Sequence, residues 1–187
     1  MKILPKEGDK STISGAKIKA TLRWKTNVDL DLHCFYLLKN QEVKKKGILS
    51  KILKMLGWNG NEYENDNNGH IGFQNKGYKN ATPYIWLDKD SGIGDRGGNN
   101  EENIFFEDLS SISHALIVAN IFNKNTNFSK YDGEVIVTSQ TQTIKVPLTC
   151  KTLGSWCVIA RIDNEYIPHL INVNKTMKNK PDISEFI

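Results

Sequence analysis

The sequence predicts an all-β protein, a β-sandwich of about 7–9 mostly antiparallel strands with one inserted amphipathic helix. Three observations carry this. Period-two alternation of apolar and polar residues is the commonest pattern in the chain. The apolar stretches are short and β-branched, with turn residues between them at close spacing. Strand and helix signals do not alternate and no segment repeats, so nothing points to a parallel βαβ sheet.

The elements follow in order. Ile18, Ala20, Leu22 and Trp24 alternate with Lys17, Lys19, Thr21 and Arg23, which is a half-buried strand. Leu30, Leu32, Cys34 and Tyr36 alternate with Asp29, Asp31, His33 and Phe35. Ala115 to Phe122 is an apolar run suited to a central strand. Glu134 to Thr138, Gln142 to Val146 and Trp156 to Ile162 follow, and His70 to Gln74, Tyr84 to Leu87 and Asn103 to Phe106 are shorter candidates. The 187 residues suit one domain over 1–187. An insert occupies about 43–68, and a polar, loosely attached tail is expected at about 172–187.

The formal net charge of +4 is mild and does not call for nucleic acid. Its distribution is informative. A basic cluster in the insert is offset by an acidic block from Asp88 to Asp108. Cys34, Cys150 and Cys157 include no Cys-x-x-Cys pair, so reduced, largely structural thiols are expected. The N-terminus MKILPKEGDK has no apolar stretch and no run reaches membrane-spanning length, so a cytoplasmic protein is expected. The four histidines show no ligand spacing and read as packing or surface residues.

The acidic residues carry the chemistry. Residues two apart on a strand share a face, so Asn27, Asp29 and Asp31 would align their oxygens. Like charges at this range repel unless a cation joins them. The second element runs from Asp88 to Glu102, where Asp88, Asp90, Asn100, Glu101 and Glu102 are spaced by glycines, among them Gly92. Glycine allows a tight loop whose carbonyls also turn inward. Calcium takes six to eight oxygen ligands in flexible geometry, and this set offers them. The absence of His and Cys from the loop argues against zinc and copper. The loop is not an EF-hand, because Ile93 and Asn99 fall where glycine and glutamate are needed. The bland alternative is an acidic loop solvated at the surface. An Asp-x-Asp motif also serves metal–nucleotide transferases, but these need an α/β scaffold that the chain does not display.

These residues carry a resemblance. Leu22-Arg23-Trp24, then Asn27 to Asp31, then the acidic loop ending in Asn100-Glu101-Glu102-Asn103-Ile104, then an apolar strand, resemble the TerD/TerA family of tellurium-resistance and stress-response proteins. The resemblance runs from about Ile18 to Asp163, interrupted around Lys44 to Asn68. The family's Asp-x-Asp-x-Asp motif corresponds to Asn27, Asp29 and Asp31. Its Gly-Asp-Asn-x-Thr-Gly stretch corresponds to Leu87 through Gly92, and its Gly-Asp-Asp-Glu stretch to Asn99 through Glu102. Asn27 and Asn100 replace carboxylates, which weakens the expected site. The resemblance implies a calcium-binding β-sandwich, non-catalytic, acting in stress response or tellurite resistance through partners such as other tellurium-resistance proteins.

The insert carries a second feature. On a helical wheel of roughly 100° per residue, Ile48, Leu49, Ile52, Leu53, Met55 and Leu56 fill one arc, and Ser50, Lys51, Lys54 and Gly57 the other. Lys44, Lys45 and Lys46 extend the basic side, and Trp58 lies near the boundary. A basic amphipathic helix of this kind suits an anionic membrane surface or a protein partner, although its apolar face could equally pack on the domain's own sheet. Two rivals thus stand beside the calcium reading: a calcium-dependent peripheral membrane module at the inner face of the membrane, and a metal-dependent transferase or hydrolase.

Overall fold

The computed structural model describes residues 1–39, 69–88, 100–122 and 124–187. The expected insert helix, with Lys44, Lys45, Lys46, Lys51, Ile52, Lys54, Leu56 and Trp58, lies outside the described residues, as do Asp90 and Gly92.

The chain is all-β. Two six-stranded sheets face each other. The first contains β1 (Lys2–Ile3), β11 (Thr143–Pro147), β10 (Glu134–Thr138), β3 (Ile18–Trp24), β7 (Asn100–Phe106) and β6 (Ile85–Leu87), in that spatial order. The second contains β2 (Lys10–Thr12), β14 (His169–Met177), β13 (Trp156–Asp163), β8 (Ile112–Asn120), β4 (Asp31–Leu38) and β5 (Gly69–Ile71). A two-stranded ribbon, β9 (Thr126–Asn127) with β12 (Leu153–Gly154), closes one end. All pairings are antiparallel except β1 with β11.

Alternation explains the core. Ile18, Ala20, Leu22 and Trp24 of β3 face Leu32 and Cys34 of β4, and Ile104, Phe106, Ile117, Ala119, Val135 and Val137 complete the layer between the sheets. Lys19 and Arg23 point outward, as the period-two pattern requires.

The second sheet is buried on its other face as well. Phe35, Leu37, Leu116, Val118 and Val158 form a separate cluster, covered by Ile183 and Phe186. The loosely attached tail expected at 172–187 is therefore corrected. Residues 169–177 form β14, and a short 3-10 turn at Ile183–Glu185 packs back onto the sheet. The inward residue Asn172 is 1% exposed and donates to the Leu4 carbonyl at 2.7 Å, so a polar side chain serves as a core position.

The expected reduced thiols also need correcting. Cys150 and Cys157 are paired as a disulfide, seven residues apart, and Cys34 is free and buried. Both paired residues lie in the main core cluster. Among the described residues, no helix is long and apolar enough to cross a membrane.

Candidate cation site

The segment joining β3 to β4 does not continue the strand, contrary to the expected face-sharing of Asn27, Asp29 and Asp31. Residues 26–28 bend, and β4 begins only at Asp31. The bend is fixed by its own backbone: the Val28 N–H donates to the Thr26 carbonyl at 2.9 Å, and Trp24 Nε1 donates to the Val28 carbonyl at 2.7 Å. Leu30 is fully buried just before the strand, which anchors the two flanking aspartates at the rim.

Asn100 and Glu102, the last part of the expected loop half, meet the β3–β4 junction here. The start of β7 pairs with the end of β3, with Trp24 opposite Asn100 and Leu22 opposite Glu102. Asn100 Nδ2 donates to the Thr26 carbonyl at 3.1 Å. Glu102 is 1% exposed, and its Oε2 accepts from the Leu32 backbone N–H at 2.7 Å. A carboxylate from one sheet thus caps the open edge of the other. Asp31 lies one residue from that contact and pairs in register with Asn120 of β8, whose Nδ2 donates to the Ser155 carbonyl at 2.8 Å.

Glu101 and Asp88 stand elsewhere. Adjacent strand residues point to opposite faces, so Glu101 and Glu102 cannot share a site. Glu101 faces outward and pairs with Arg23 Nε at 3.1 Å. Asp88 continues the β6–β7 ladder on the outer face: its Oδ1 accepts from Asn103 N at 3.2 Å and its Oδ2 from Asn103 Nδ2 at 2.9 Å. Asn103 in turn accepts from Thr21 Oγ1 at 2.7 Å. Asp88 therefore fixes the base of the acidic loop to the sheet. Asn27, Asp29, Asp31, Asn100 and Glu102 remain as the set gathered around the end of the sandwich.

This set consists of oxygen donors, a chemistry that fits calcium or magnesium and not a thiophilic metal. Among the described residues, no three His, Cys, Asp or Glu side chains come together as a complete metal-binding group. A complete coordination shell would therefore need amide and carbonyl oxygens, or ligands from 89–99.

A groove of about 710 Å³ opens beside this end. Its charged walls are compensated: Arg23 pairs with Glu101, Lys25 with Asp132 at 2.6 Å, and Lys145 with Glu134 at 3.0 Å.

Sequence reasoning missed two features. Asn120, beside Asp31, was signalled only as a lone amide within an apolar run. The second is a histidine pair on the outer face of β4: His33 Nδ1 lies 3.0 Å from His70 Nε2, with the rings stacked. His33 is 2% exposed, and its Nε2 is buried without a hydrogen-bond partner. Burial, then the neighbouring His70 and Lys180, push its pKa down to about 3. Gly72 makes room for the ring, since a Cβ there would strike His33 Nδ1.

No protein-family model matches the chain, and no curated protein matches it in sequence.

Proposed function

We propose that this chain binds calcium at the end of the sandwich where the β3–β4 junction meets the start of β7. The role is non-catalytic: the ion orders the loops, which then present a surface to a partner. The resemblance of the motifs to the TerD/TerA family extends this to a stress-response or tellurite-resistance protein.

One observation carries the reading. The Glu102 carboxylate and the Asn100 amide, from the predicted loop half, contact the backbone of 26–32, from the predicted strand half. The sequence required these halves to meet. Asp29 and Asp31 flank the junction, and Asp90 and the backbone near Gly92 are the proposed completing ligands. With Glu102 joined to the Leu32 N–H and Glu101 directed outward, Glu102 and Asn100 are the β7 contributors, while Glu101 and Asp88 have positioning roles outside the shell.

Thermal melting of chelator-treated protein tests this. An ion that binds only the folded state raises the melting temperature in proportion to the logarithm of its concentration. Calcium is expected to raise it at micromolar to millimolar concentration, with magnesium weaker because its octahedron is stricter. Equal melting curves with and without calcium would refute the assignment.

A further inference from the structure

The same end of the molecule carries two exposed apolar side chains that the fold does not use. Phe122 is 74% exposed and Leu153 is 64% exposed. Their backbones are fixed. Ile121, just before Phe122, is buried, and its N–H donates to the Ser155 carbonyl at 2.9 Å. Leu153 pairs with Asn127 in the β9–β12 ribbon, and Gly154 packs so closely on the Met177 carbonyl that no Cβ would fit. Phe122 and Leu153 are therefore exposed on neighbouring, hydrogen-bonded segments. Phe122 lies two residues beyond Asn120, the register partner of Asp31.

The charges around them are basic. Lys124, Lys151 and Lys178 are all exposed. Lys178 is held beside the turn through its carbonyl, which accepts from Ser155 Oγ at 2.7 Å. Single exposed apolar residues are ordinary on any surface. Two on adjoining segments, each with an exposed lysine two residues away along the chain, match a bilayer interface, where apolar groups enter the acyl boundary and lysines meet anionic headgroups.

We propose that Phe122 and Leu153 are the tips by which this end of the sandwich docks on an anionic lipid bilayer. The calcium dependence of that docking rests on the cation reading above.

The test is co-sedimentation of the full chain with phosphatidylcholine vesicles, neutral or with about 30% phosphatidylserine, in calcium and in chelator. Binding to the anionic vesicles in calcium is expected. The Phe122→Ser/Leu153→Ser variant should bind about ten-fold or more weakly. Tyr166→Ser/Ile167→Ser, at two exposed residues on the opposite end of β13, should bind as the unaltered chain does. Failure of the unaltered chain to bind overturns the proposal in favour of a protein partner. Undiminished binding by the Phe122/Leu153 variant overturns it in favour of another contact. Calcium titration separates the two readings. Heat of binding without vesicle association sinks the tip proposal alone, whereas tip-dependent association without such heat supports the tips and sinks the cation site.

Discussion

Glu102 and Glu101 are neighbours in sequence and opposites in environment, and the contrast separates fold from function. Glu102 is buried and accepts from the Leu32 N–H. Glutamine in its place can still accept that bond while removing the charge that would attract a divalent cation. Glu102→Gln should cut the calcium-induced rise in melting temperature. Glu101→Gln weakens the exposed pair with Arg23, at about 0–1 kcal/mol, and should leave the calcium response intact. His33 supplies a pH signature. Its pKa is lowered from 6.5 to about 3, so between those values the unfolded chain binds a proton that the folded chain refuses. Stability from this group is complete above pH 6.5 and declines as pH falls toward 3. At two units below the unfolded pKa the loss is about 2–3 kcal/mol. Urea unfolding at neutral and acidic pH should show a shallower pH dependence for His33→Phe than for the parent chain.

At the scale of elements, the strands of the sandwich were legible wherever one face is polar. β3, β10 and the centre of β8 follow the alternation or apolar runs directly. β14 was hidden because its sheet face includes Asn172, an amide that satisfies the N-terminal segment by hydrogen bonds instead of adding apolar area. Its outward residues Val173 and Met177 pack against the outer cluster, so its apolar positions face away from the main core. The grouping of the acidic residues was legible in composition but not in direction. The sequence named Asn27, Asp29, Asp31, Asn100 and Glu102, yet grouped Glu101 with Glu102 against strand parity. It also extended the β4 alternation through a bend held by local hydrogen bonds. The C-terminal segment gives a test at this scale. Ile183 is 1% exposed and Phe186 8% exposed on the outer cluster. Ile183→Ala and Phe186→Ala should each lose about 2–4 kcal/mol in chemical denaturation. A loosely attached tail would give almost no change.

At the scale of the whole molecule, the sheets are joined by the core, by the Glu102–Leu32 contact at one end, and by the hydrogen bonds of the N-terminal segment to Asn172. The Cys150–Cys157 disulfide adds a covalent tie within this frame. Alkylation of the denatured, unreduced protein should therefore label Cys34 alone, and prior reduction should expose Cys150 and Cys157 as well. In the folded protein Cys34 should stay unlabelled, because burial shields it and pushes its thiol pKa up. At the acidic junction the start of β7 meets the β3–β4 bend and the edge of the second sheet. The measurement that tests its role most directly is a calorimetric titration of calcium into the chelator-treated chain and into Glu102→Gln. Saturable heat in the parent chain, reduced about ten-fold or more in affinity in the variant, is the expected result. No heat in the parent chain, or equal heat in both, would contradict the assignment of the site.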